Sequence, residues 1–93
     1  MQQIAQTFNP TAGGGDQEVK GTEVGVIFLG CIVTPVAADT TLLIKDGGTL
    51  IETIFVQANG DTLPVFPPPH KVKVKLVANL AGTAATATVY YRS

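Results

Sequence analysis

The chain has no tryptophan, one cysteine, one histidine, one methionine and one serine among its 93 residues. These scarcities exclude most of the familiar catalytic sets. A serine triad would need Ser93, the last residue, as its nucleophile, and none is expected. Cys31 cannot form an internal disulfide, and it sits within the apolar run VGVIFLGCIV. There it is expected to be a small buried hydrophobe, with nothing nearby in sequence to lower its pKa for a Cys31–His70 dyad. His70, between Pro69 and Lys71, is expected at the surface rather than as a ligand or base. No catalytic residue, cofactor or metal is expected, and the chain reads as a protein without enzymatic activity.

Charge of one sign is also missing: six Lys and Arg stand against seven Asp and Glu, a net of −1. Such a balance gives no overall field to draw the protein to nucleic acid or to an anionic membrane. No apolar run approaches the ~20 residues of a membrane helix, and the start MQQIAQTFNP lacks the basic and apolar regions of a signal peptide. The expectation is a soluble protein made in a cytoplasm.

Room for helices is scarce too. Ten glycines and six prolines are spread so that no interval free of both exceeds twelve residues, while Thr, Val and Ile supply 29 positions. β-Branched side chains suit a pleated surface and lose rotamer freedom in a helix, so short strands between turns are expected. Gln3 to Phe8 reads as a first strand or extended arm, followed by the loop NPTAGGGD. Val24 to Thr34 reads as an apolar strand with a bulge or bend at Gly30. Thr40 to Lys45 and Thr49 to Gln57 flank the hairpin signal Asp46-Gly47-Gly48. Asn59-Gly60 is read as a second turn of that kind, leading to Thr62–Phe66 and then Pro67, Pro68 and Pro69. Lys71 to Leu80 and Ala84 to Arg92 form a final pair around Ala81-Gly82-Thr83. The fold class expected is all-β: a compact antiparallel β-sandwich, jelly-roll-like, with a flexible N-terminal arm over 1–20 and the sandwich over 21–93.

Alternate lysines in HKVKVKL set a puzzle. As a strand, the segment places Lys71, Lys73 and Lys75 on one side and Val72, Val74 and Leu76 on the other, facing the core. Neighbouring ammonium groups ~7 Å apart in water repel by only ~0.6 kcal/mol, so the row is cheap to leave solvated. It fits a solvated face or protected edge, a salt-bridged contact with an acidic partner, or a nucleic-acid contact. The last is disfavoured, because stacking needs exposed aromatics and Phe28, Phe55 and Phe66 all fall in apolar strand settings. GGGD at 13–16 lacks the following Gly-Lys-Ser/Thr of a phosphate loop. Asp39, Asp46 and Asp61 fall at turns, where local backbone hydrogen bonding accounts for them, with calcium binding as the alternative.

Two strands look hydrophobic on both faces. Val26, Ile27, Phe28, Leu29, Cys31, Ile32 and Val33 leave no polar side, although an antiparallel sandwich alternates core and solvent. Either the strand bends at Gly30 or a neighbouring subunit covers its second face. A homo-oligomer is expected, with Val26, Phe28, Ile32 and Tyr90 or Tyr91 as its contacts.

From Val24 onward the order of segments, with LLIKDGGT at 42–49 and GTAATATVYYR at 82–92, resembles the small jelly-roll capsid decoration, or cement, proteins of tailed bacteriophages. The resemblance implies a homotrimer on the outside of a phage head, bound to the major capsid protein and stabilising the shell. On that reading the protein is made in the host cytoplasm and ends on the virion surface, contacting neither nucleic acid nor membrane. Gln3, Phe8, Lys71, Lys73 and Lys75, from the arm and the lysine row, are the expected shell contacts. The alternative is a tail-fibre or receptor-binding module that grips carbohydrate.

Overall fold

In the computed structural model, residues 5–19, 25–81 and 85–92 are described. Among these residues there are nine strands and no helix, as the spread of glycine, proline and β-branched residues requires. The strands are β1 (Gln6–Phe8), β2 (Gln17–Glu18), β3 (Ile27–Thr34), β4 (Thr40–Asp46), β5 (Thr49–Val56), β6 (Leu63–Val65), β7 (His70–Lys71), β8 (Leu76–Ala81) and β9 (Thr86–Arg92). One sheet has the order β1-β9-β3-β6, with β7 also paired to β3; the other has the order β2-β8-β4-β5. Every pairing is antiparallel. Counting β6 and β7 as one interrupted strand position beside β3, the chain winds between the two sheets as a double-sheet jelly roll.

The core lies between the sheets. Phe28, Cys31, Val33 and Val89 meet Leu42, Ile44, Leu76 and Leu80, all fully buried. Burying side chains of this size contributes about 1.5–3 kcal/mol each, which offsets the ordering of such short strands.

Gly30 reconciles the apolar run with this arrangement. The β3–β9 register shifts between Phe28 and Gly30. Before the bulge the inward residues are Val26 and Phe28, and after it they are Cys31 and Val33. One inserted residue therefore turns two runs of opposite parity toward the same core. Ile27, Leu29 and Ile32 are left on the outer side, half-buried.

The division into an arm and a sandwich is not the one the sheets make. Gln6–Phe8 and Gln17–Glu18 pair as edge strands with β9 and β8, one in each sheet. The loop between them is tied down: the Thr11 N–H donates to Gln17 Oε1 (3.0 Å), Gln17 Nε2 donates to the Thr11 carbonyl (2.9 Å), and the Gly13 N–H donates to the Leu80 carbonyl (2.8 Å). Asp16 Oδ1 accepts from Lys45 Nζ (3.0 Å) and Asn79 Nδ2 (2.9 Å), fastening the loop to the outside of β4 and β8. The Asn79 hydrogen bond, then that from Lys45, holds the Asp16 carboxyl below its ordinary range.

The lysine row is corrected as well. The expected strand from Lys71 is broken: β7 ends at Lys71, the chain bends at 73–74, and β8 starts at Leu76 in the opposite sheet. Val72 and Leu76 are buried, but Val74 is 59% exposed. The bend is made by Asp46 at the end of β4, whose Oδ2 accepts the Lys73 N–H and whose Oδ1 accepts the Val74 N–H, each at 2.7 Å. These amides satisfy a carboxylate instead of a ladder. Asn59, at a φ of 57°, and Gly60 do turn the chain, but between β5 and β6 in different sheets rather than as a hairpin. The Asp46-Gly47-Gly48 hairpin forms between β4 and β5 as expected, with Gly47 at a φ of 63°.

Candidate interaction surface

The outer face of the β1-β9-β3-β6 sheet carries the exposed Phe66 beside the half-buried Ile32, Thr88, Tyr90 and Arg92. β9 turns Thr88, Tyr90 and Arg92 outward, because Ala87, Val89 and Tyr91 alternate with them into the core. Across the ladder Thr88 lies opposite Ile32, Tyr90 opposite Gly30 and Arg92 opposite Ile27. The missing side chain at Gly30 is filled from β6. A Cβ there would fall 2.3 Å from the Phe66 ring and 2.5 Å from the Val65 carbonyl oxygen. Phe66 leans over the glycine and meets Tyr90 with ring centroids 5.7 Å apart and planes tilted by 50°. The Phe66 ring is nonetheless 57% exposed.

Arg92 closes one end of this surface. Its Nε is buried without a hydrogen-bond partner among the described residues. An aromatic pair, β-branched Ile32 and an arginine with donors to spare is the composition found at the energetic centre of protein interfaces.

The expected oligomer contacts divide on this geometry. Ile32 and Tyr90 lie on the outer face and are brought close together. Val26, Phe28 and Tyr91 do not reach it: each is buried within the single chain, on the inward parity that the bulge and β9 impose. Phe66 and Arg92, which also belong to this outer face, were not among the expected contacts. Phe66 reads in sequence as an interior residue, since only its position just past edge strand β6, beside a glycine, exposes it.

The expected shell contacts are scattered. Gln3 lies outside the described residues. Phe8 faces inward and packs half-buried against the core, so the sheet uses most of its surface itself. Lys71, Lys73 and Lys75 are exposed but share no strip, because of the bend at 73–74. Lys75 pairs with Glu18, and Lys71 extends beside Gly25.

A second exposed region runs along β5. Phe55 is 57% exposed and Leu50 53%. β5 is the free edge of its sheet and is eight residues long, TLIETIFV. The other edges are blunted: β1, β2 and β7 have two or three residues, and β6 contains Pro64. An edge of this length without proline or lysine is open to another strand.

The remaining candidates resolve simply. The Cys31 thiol is buried in the core, and burial, with the negative charge of Glu52 second, pushes its pKa from 9.0 up to about 11. Asp39 accepts the Ala58 N–H at 2.8 Å, a structural bond across 19 residues of chain rather than the local turn contact expected. No group of three or more His, Cys, Asp or Glu is placed to hold a metal ion among the described residues. Nor is any helix there long and apolar enough to cross a membrane.

Comparison with protein-family models, with curated proteins and with solved structures found no match to this chain.

Proposed function

We propose that this chain is a virion structural protein: a capsid decoration, or cement, protein that binds the outside of a phage head as a homotrimer and stabilises it. The reading is supported by the exposed Phe66 beside the half-buried Tyr90, Ile32 and Arg92 on the outer side of one sheet. A domain this small spends few large side chains on solvent without a partner to cover them. The unblunted β5 edge, with Leu50 and Phe55, offers a second surface through which a subunit could bridge copies or reach the shell. The order of segments that resembles cement proteins agrees with the jelly-roll winding.

Two measurements test the proposal. Sedimentation of the purified chain at micromolar concentration is expected to give three times the chain mass, with Tyr90→Lys shifting the population to monomer. Mixing the chain with undecorated phage heads and imaging them is expected to add regularly spaced density and to raise the temperature at which heads rupture. A monomer that leaves heads unchanged would overturn the reading.

The Phe66–Tyr90 pair also favours a second reading, a carbohydrate-binding module of a tail fibre, because exposed aromatic rings pack against sugar rings. Glycan binding lost in Phe66→Ser, with no attachment to heads, would decide for it.

A further inference from the structure

An open pocket of about 430 Å³ lies at the end of the β4–β5 hairpin, apart from the aromatic surface, lined by Asp46, Thr49, Leu50, Ile51, His70, Lys73 and Val74. Its size falls within the ~300–1,000 Å³ of sites that take small groups. Its walls are fixed in advance. Asp46 grips the backbone N–H groups of Lys73 and Val74, so the Cα positions of both are set. Val74 in turn folds over the hairpin turn, where a Cβ on Gly47 would approach its Cγ1 to 3.1 Å.

The charges in this pocket are unevenly satisfied. The Asp46 carboxylate is almost wholly enclosed, with backbone amides on both oxygens and the His70 Nε2 at 4.0 Å. Its charge is turned into the protein. Lys45 and Lys75 are paired with Asp16 and Glu18, whereas Lys73 has no carboxylate partner among the described residues. The mouth thus presents one free ammonium group, a half-exposed imidazole and the Thr49 hydroxyl beside the apolar side chains of Leu50, Ile51 and Val74.

We propose that this pocket binds a carboxylate carried on a short apolar stem, the carboxylate meeting Lys73 and the stem lying against Leu50 and Val74. The complementarity is of charge and of surface together. A hydrophilic anion leaves the apolar wall wet, and a neutral apolar group leaves the ammonium without a counter-charge. The site shares Leu50 with the β5 edge, but its test does not depend on the assembly role.

The test is a titration of the full chain, labelled with nitrogen-15, against sodium hexanoate, hexanol and the capped peptides acetyl-Leu-Glu-Val-amide and acetyl-Leu-Gln-Val-amide. Amide shifts of residues 47–51 and 70–75 report occupancy. Saturable shifts are expected with hexanoate or with the Glu peptide, with the neutral counterpart binding about tenfold more weakly, as loss of one charge-assisted contact implies. Hexanoate alone would assign the site to a free acid, and the Glu peptide to an acidic side chain of a partner. Lys73→Gln, at an exposed position, is expected to remove that preference with no change in unfolding midpoint. Absence of saturable shifts with both acids, equal binding of the neutral probes, or a preference that survives Lys73→Gln would overturn the proposal.

Discussion

The carboxylate of Asp46 accepts the backbone N–H of Val74 at 2.7 Å across 28 residues of chain, while its other oxygen holds Lys73. This pair of bonds, formed at the end of β4, breaks what would be a continuous lysine strand and directs the chain from one sheet to the other. It also sets the wall of the hairpin pocket. Asp46→Ala leaves both donors without their acceptor in a part-buried position, each such group costing at most about 1–3 kcal/mol. Urea unfolding of the variant is expected to show a loss of roughly 2–4 kcal/mol with an unchanged slope. A loss below the error of the measurement would mean that the 73–75 bend is held by something else.

The same carboxylate makes stability depend on acid. Burial pushes the Asp46 carboxyl up, but the N–H groups of Lys73, Val74 and Lys75, with the His70 imidazole beside them, outweigh it and leave the group below its ordinary 3.8. In the unfolded chain the carboxylate takes up its proton near 3.8, whereas in the fold it does so only at lower pH. Between those points the unfolded state binds more protons, so stability present above pH 3.8 is lost as pH falls through the folded value. Asp46→Asn is expected to flatten this acid limb when unfolding free energy is measured at steps of pH. Asp16→Asn should alter it less, because Asp16 lies in solvent where its bonds are screened.

Cys31 acts at the other end of the pH scale. Its thiol stays protonated in the fold to about pH 11, against 9.0 without the surrounding core. The resulting contribution is fully present below pH 9.0 and is lost as pH rises through the folded value, because only the unfolded chain gains by ionising. At one pKa unit per 1.36 kcal/mol, the loss reaches roughly 2–3 kcal/mol in strong alkali. Cys31→Ala is expected to be less stable at pH 7, from the cavity it leaves, but to lack this alkaline decline. Native protein at pH 8 should react with a thiol reagent only at its rate of opening.

Much of the fold was legible in the sequence because local signals and packing agree there. Asp46-Gly47-Gly48 marked the β4–β5 hairpin, the segment from Ala84 to Arg92 after the Ala81-Gly82-Thr83 turn marked β9, and Gly30 marked the bulge. The lysine row misled because strict alternation is the strand pattern, while the competing acceptor, Asp46, lies far away in sequence. The residues of the candidate surface were half legible for a related reason. One bulge residue inverts the parity of β3, so that Val26 and Phe28 point inward with Cys31, and only the register with β9 shows which of Tyr90 and Tyr91 is outside. Phe66 was illegible because its exposure depends on which neighbour lies beneath it, and that neighbour is a glycine.

Gly30 is therefore the position where fold and surface meet. Its φ of 153° is one that L side chains rarely adopt, and a Cβ would strike the Val65 carbonyl oxygen at 2.5 Å as well as the Phe66 ring. The ring could swing away, but the carbonyl belongs to the β6 backbone paired with Cys31 and cannot move without breaking that ladder. Backbone strain of about 1–3 kcal/mol adds to an overpacking cost of similar size, so Gly30→Ala is expected to lower stability by roughly 2–5 kcal/mol. The change should also lift Phe66 off Tyr90. Amide exchange is therefore expected to accelerate at Leu63, Val65 and Phe66 more than in 42–46, and any self-association through this face should weaken even where the variant remains folded. Equal exchange in both segments would show that β6 is not anchored by the contact over the glycine.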